Sequence, residues 1–304
     1  MAVSENTSFE KIRIKKKSAD ADTVFYVFLY IFLILFAIVT LYPVINLLAR
    51  SFNDPFDELA NTVRLLPHKW SLNNYERIVT QYVGVWRGLK ITALRTLIGT
   101  VLSVSSTALL AFILSRRKFL FKSGLSLFWV ITMYAQAGLI PTLQLYRYMH
   151  LTKSFWVYVI PGLISALYLM VIRTYMQGIP DSLEEAAQLE GAGYLRIFWS
   201  VISPLCKPVY AAIAFFVAVY HWNSWFDAMI FNRLCAEYTV LQYEMMKLYR
   251  EVTVMAPGVV SHRSPTPYTM KATAYFVSIL PLLIAYPFFQ RYFVTGVKFN
   301  GIKD

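Results

Sequence analysis

Six long runs free of Asp, Glu, Lys and Arg alternate with charged segments along this chain. They occupy 23–49, 96–115, 123–146, 154–172, 208–226 and 272–290. A helix of about 20 apolar residues crosses a bilayer core, so each run is long enough. Backbone groups in lipid must be satisfied within the chain, and runs of this length demand helices rather than barrel strands. The pattern predicts an all-α membrane protein with spans at about 23–49, 91–115, 123–146, 154–173, 208–230 and 270–291. Pro43, Pro161, Pro281 and Pro287 fall within or near these helices and should kink or cap them.

The polar segments differ in character. The segment after the first run contains a turn-rich stretch, 67–75, leading into a short interfacial helix, with Trp70, Tyr82 and Trp86 at headgroup level. The segment at 227–271 has room for a helix near 239–251, followed by an irregular stretch with Pro257, Gly258, Pro265 and Pro267. Between the fourth and fifth runs, Pro180 to Pro208 reads as helix, break, helix. Ser182 and Glu185 have the spacing of a capping box, and Gly191 and Gly193 supply a stop. Leu195, Phe198, Trp199 and Ile202 form one apolar stripe of the second helix. On these residues alone the stretch is either an amphipathic hairpin at a membrane surface or a docking element for another protein.

Composition narrows the class. Of 304 residues, 57% are hydrophobic and 15% charged, against about 25% charged in soluble domains. The net charge of +12 could point to nucleic acid. The basic residues instead cluster beside apolar runs, where anionic headgroups favour them, so membrane lipids rather than nucleic acid are the expected partners. The basic tail from Lys11 to Lys17 and the short loop from Arg116 to Lys122 assign their side to the cytoplasm. Six spans then put both termini there: a tail at 1–22, a membrane domain at 23–293 and a tail at 294–304. Lys and Arg totals on the two sides are nearly even, so the orientation rests on the tail and the short loop. The first apolar run is too long for a cleaved signal peptide.

Familiar catalytic patterns are missing. His68, His150, His221 and His262 lie far apart, and Cys206 and Cys235 have no metal-ligand spacing. No phosphate-binding G-x-x-x-x-G-K-[ST] loop and no G-x-S-x-G elbow occur. No catalytic residue, metal or cofactor is therefore expected. The spans hold almost no ionisable residues at mid-membrane, which argues against a proton-driven machine and for one moved by force from outside the membrane.

Glu185-Ala186-Ala187, then Gly191, then Ile202 and Pro204, resembles the E-A-A-x-x-x-G…I-x-L-P loop of membrane subunits of ATP-binding-cassette (ABC) importers. Glu190 stands where the sugar branch often has Asp, and Ser203 where Leu is usual. Three further segments resemble the carbohydrate branch, maltose-permease-like and close to a lipoprotein-associated oligosaccharide subgroup. They are Trp70-Ser71-Leu72-x-Asn74-Tyr75, the stretch from His221 to Phe226, and the stretch from Tyr286 to Phe293 leading to Gly296-Val297-Lys298.

The resemblance implies a type I ABC importer permease fold of six transmembrane helices, with a cytoplasmic coupling loop at 178–208 between helices 4 and 5. It implies a multi-pass subunit of a bacterial plasma (inner) membrane and no enzyme activity of its own, since a partner hydrolyses ATP. The implied function is binding-protein-dependent, ATP-driven import of a sugar, in particular an oligosaccharide. Implied partners are a second homologous permease, two ATPase subunits and an extracytoplasmic solute-binding (lipo)protein. Carried over, the residues docking on an ATPase are Leu183, Glu184, Glu185, Ala186, Ala187, Glu190 and Gly191.

Sugars are bound by aromatic faces and amide or hydroxyl partners. His221, Trp222, Asn223 and Trp225 on helix 5, with Tyr134 and Gln136 on helix 3, are candidates for the substrate path. The tryptophans equally suit an interfacial belt, and Ser103, Ser105, Ser106 and Thr107 equally suit close helix packing. The alternative from another class is a self-contained secondary transporter or channel. It predicts transport without ATP and usually an inverted repeat, which the sequence does not display.

Overall fold

The computed structural model describes residues 19–61, 63–117, 119–135, 137–254 and 267–299, and these form helices joined by turns, with no strand among them. In chain order the helices are α1 (Ala19–Ser51), α2 (Asp57–Ala60), α3 (Asn73–Gln81), α4 (Val83–Ser115), α5 (Lys122–Tyr134), α6 (Leu139–Tyr148) and α7 (Ala166–Gln177). They continue with α8 (Asp181–Leu189), α9 (Tyr194–Ile197), α10 (Ser203–Leu205), α11 (Lys207–Asn223), α12 (Phe226–Phe231), α13 (Leu241–Val254) and α14 (Pro267–Phe299).

Three of the predicted spans are single long helices: residues 23–51 of α1, α4, and residues 269–287 of α14. The other three are bent pairs. α5 and α6 meet at 119°, where Gly138 adopts a φ of +82° and Pro141 prevents α6 from extending backwards. Two tight turns at 155–162, containing Pro161, meet α7 at 45°. The stretch 194–205 meets α11 at 80°.

α4 is the packing centre; α7, α11 and α13 all lie against it. Its buried stripe carries Gly88, Thr92, Arg95, Gly99, Ser103, Thr107, Ala111 and Ser115, nearly all small. Lipid tails are as apolar as leucine, so helices in a bilayer gain from close backbone approach, which small residues permit. The approach is tight: a Cβ on Gly99 would sit 2.5 Å from His221 Nε2, and one on Gly88 would sit 2.9 Å from the Leu241 backbone nitrogen. Hydroxyls of α4 also satisfy irregular backbone of its neighbours. Thr92 Oγ1 accepts from the Leu241 N–H at 2.9 Å, and Ser106 Oγ donates to the Leu163 carbonyl, freed by the break before α7, at 2.6 Å. Ser103, Ser106 and Thr107 therefore serve helix packing.

α4 begins eight residues before the expected span and carries Arg95 within it, wholly buried. The expected span at 91–115 thus includes one fully buried charge. Arg95 pairs with Asp227, donates from Nη1 to the Ser224 carbonyl at 3.2 Å, and lies over the Tyr158 ring at 4.3 Å. A buried charge is tolerated only when paired and hydrogen-bonded. The same contact ends α11 early. Asp227 belongs to the separate helix α12, and the span expected to reach residue 230 stops as a helix at Asn223.

The Trp70–Tyr75 motif closes the loop after α1. Asn74 Nδ2 donates to the Ser51 and Asn53 carbonyls, at 3.2 and 3.0 Å, and Tyr75 shares a 2.7 Å hydrogen bond with Ser51 Oγ. Asn53 Oδ1 accepts from the His68 and Lys69 N–H groups, each at 3.0 Å. Nearby, burial raises the Glu58 carboxyl above its ordinary value, and its partner Arg50 opposes the shift. The interfacial helix expected here is α3, and the helix expected near 239–251 is α13. Of the irregular stretch expected around Pro257, Gly258, Pro265 and Pro267, the first three lie outside the described residues and Pro267 opens α14.

Two outcomes follow from this packing. Gly88→Leu should lower the thermal midpoint of the detergent-solubilised complex, by about 1–3 kcal/mol of stability, while Gly124→Leu, with open space around it, should not. Arg95→Met should destabilise by about 3–5 kcal/mol, and adding Asp227→Leu should recover most of that loss, because no buried charge is then left alone.

Candidate functional site

The loop between α7 and α11 is built around α8. Pro180 precedes α8, whose first residue is Asp181. Ser182 thus lies inside the first turn and caps nothing, in place of the expected capping box. The far end is closed as anticipated. The Gly191 N–H donates to the Gln188 carbonyl and the Ala192 N–H to the Ala187 carbonyl, both at 2.9 Å, while Gly191 has a φ of +80°. This is a Schellman stop, which favours glycine at its left-handed position. A Cβ there would meet no atom within 4 Å, so only the backbone angle demands glycine.

No residue of α8 is fully buried, yet its two faces differ. Glu184, Ala187 and Gln188 turn inward, while Leu183, Glu185, Ala186, Leu189 and Glu190 are exposed. Leu189 is 91% exposed. On the inner face Glu184 pairs with Arg116 at the end of α4, and Gln188 Nε2 donates to Glu184 Oε1 at 3.0 Å. Asp181 pairs with Arg117 at 2.9 Å. The anticipated docking set therefore divides. Leu183, Glu185, Ala186, Glu190 and Gly191 are on the open side, whereas Glu184 and Ala187 turn toward the chain's own helices. Sequence reasoning missed Leu189, Arg116 and Arg117; the three- and four-residue spacing of Glu184, Ala187 and Gln188 was the available signal.

The second half of the loop departs from its expected stripe. Ile197, Phe198 and Ile202 enter the main core with Phe112, Leu169 and Met176, while Leu195 and Trp199 are exposed. The cause is a wide π turn at Phe198–Ile202. It breaks the 3.6-residue period on which the stripe relied.

The path candidates separate likewise. His221 is buried against Gly99, and buried Trp222 donates from Nε1 to the Ser278 carbonyl at 2.9 Å. These two side chains hold α11 to α4 and α14. Asn223 is exposed and donates to the Val219 carbonyl of its own helix at 3.0 Å. It shares an exposed stripe of α11 with Phe216 and Tyr220. Trp225 is half-buried at the break before α12, and Tyr134 is 82% exposed at the end of α5. Gln136 lies outside the described residues. Among the described residues, no three His, Cys, Asp or Glu side chains converge as a metal site.

The long apolar helices and bent helix pairs describe an all-helical membrane protein, and the comparisons give its family. No protein-family model matches the chain. The polygalacturonan/rhamnogalacturonan transport system permease protein YtcP of Bacillus subtilis is 30% identical over 289 residues, 93% of this chain and 99% of that protein. The arabinooligosaccharides transport system permease protein AraQ of Halalkalibacterium halodurans is 22% identical over 276 residues, 88% of this chain and 92% of that protein. A chain in the crystal structure of a bacterial ABC transporter involved in import of the acidic polysaccharide alginate superposes with a TM-score of 0.83. It is 28% identical and covers 91% of this chain and 99% of its own length. The chain belongs to the carbohydrate-transporting permeases of ABC importers. In that family a separate subunit hydrolyses ATP.

Replacing Gly191 with valine should add about 1–2 kcal/mol of local strain and sharply reduce uptake. Asparagine, which tolerates the left-handed region better, should keep most of it. Uptake by vesicles carrying each variant at equal expression checks this ordering.

Proposed function

We propose that this chain forms half of the translocation path of an oligosaccharide importer and couples to an ATPase subunit through the outer face of α8. The observation that carries the coupling is that face itself: Leu183, Glu185, Ala186 and Leu189 are exposed on a helix that buries none of its own residues. An apolar side chain as open as Leu189 is stabilised when a partner covers it. The three single helices and three bent pairs support six spans, with the loop at 178–208 and the tails at 1–22 and 294–304 on the cytoplasmic side. The partners in this reading are a second homologous permease, two ATPase subunits and an extracytoplasmic solute-binding lipoprotein in a bacterial plasma membrane.

For the cargo path the reading favours the exposed stripe of α11, where Tyr220 offers a ring face and Asn223 an amide. Trp225 and Tyr134 remain candidates for it, while the contacts of His221 and Trp222 suit a supporting role. The names of two relatives mention polygalacturonan and an acidic polysaccharide. Carboxylate-bearing oligosaccharides are accordingly the first cargo to test.

Purification of the tagged chain from its native host should bring down an ATPase and a second permease. Glu185→Lys should lose the ATPase while still inserting in the membrane. A lone homo-oligomer that transports without ATP would instead establish the secondary-transporter reading. Screening the cognate binding protein with galacturonate oligomers and neutral oligomers of equal length would decide the cargo class.

A further inference from the structure

Besides the exposed Arg117–Asp181 pair, α8 connects to the membrane helices by four routes. Two are backbone: Gly178 to Pro180 on one side and Gly191 to Gly193 on the other. Both contain glycine, which makes compliant joints. The third is the small side chain of Ala187, packed at the margin of the main core. The fourth is the Arg116–Glu184 pair, joining α8 to the end of α4.

The pair is built for rigidity. Its side chains are only 10% and 14% exposed, so solvent and salt screen it less than a surface contact. Arg116 is braced three ways. Its Nε donates to Ser115 Oγ at 3.1 Å, that hydroxyl donates to the Phe112 carbonyl at 2.7 Å, and the guanidinium lies over the Phe112 ring at 4.9 Å. Glu184 is fixed from its own helix by Gln188. The Phe112 ring then packs at a tilt against Phe198, centroids 5.2 Å apart, tying the contact to the second half of the loop. By contrast the neighbouring Arg117–Asp181 pair is 85% and 45% exposed. An exposed pair of that kind contributes little.

We propose that Arg116 and Glu184 are positioning residues that transmit motion of α8 to α4. Glu184 then serves transmission rather than contact with the ATPase. This rests on the reading that an ATPase docks on the outer face of α8. α4 is the helix on which α7, α11 and α13 pack, so a displacement delivered to its end reaches the whole bundle.

The test uses the full complex in proteoliposomes, with both permeases, the ATPases and the binding protein. A Ser105→Cys reporter on the exposed side of α4, with Cys206 and Cys235 replaced by serine, reads ATP-dependent maleimide accessibility without needing a cargo. Arg116→Gln and Arg116→Glu should keep the ATPase on affinity purification within twofold and reduce the ATP-dependent change at least tenfold. The double exchange Arg116→Glu/Glu184→Arg should restore the change to within threefold, and Arg117→Gln should leave it as in the parent. A parent-like change in Arg116→Gln, or a double exchange no better than Arg116→Glu, overturns the proposal. Loss of the ATPase from Arg116→Gln also overturns it and assigns the pair to the docking surface. Loss of the ATPase from the parent complex sinks the docking reading itself.

Discussion

Close approach of helices inside a bilayer is the constraint on which this fold depends. The stripe from Gly88 to Ser115 on α4 meets it with small side chains. That stripe lets His221 of α11 sit against Gly99 and the α13 backbone sit against Gly88. Hydroxyls of α4 also supply donors and acceptors where neighbouring backbone is irregular, as Ser106 does for the Leu163 carbonyl.

Arg95 is the exception in that stripe, and it explains a break elsewhere. A guanidinium buried there needs a carboxylate and a carbonyl. Asp227 and Ser224 supply them from the turn after α11. The end of α11, the start of α12 and the orientation of Tyr158 are organised by this one charge. The end of α4 at Arg116 carries a second enclosed ion pair. The central helix is thus held electrostatically at a buried site within it and at its terminus.

The loop around α8 joins compliant and stiff parts. Gly178 and Gly191 flank α8, whose outer face is left exposed by the described residues. Its inner face is tied to α4 through charge and to the core through Ile197, Phe198 and Ile202. In the ABC importer permease family ATP is hydrolysed by a separate subunit.

Much of this was legible in the sequence, because apolar run length and glycine placement act locally. The six charge-free runs, the helix–break–helix of the loop and the stop at Gly191 all depend on residues within a few positions of one another. The family likeness rests on short ordered motifs of the same kind. Facing could not be read so well. Glu184 and Glu185 are adjacent in sequence, yet a helix turns about 100° between them, and only the position of Arg116 decides which is enclosed. Arg95 and Asp227 lie 132 residues apart, so their pairing was invisible until the bundle closed. At the π turn Phe198–Ile202, Phe198 and Ile202 stay buried while Leu195 and Trp199, which periodicity had placed beside them, are exposed. Local chemistry determined which segments are helices and where they stop; the packing of distant helices decided which side of each one faces in.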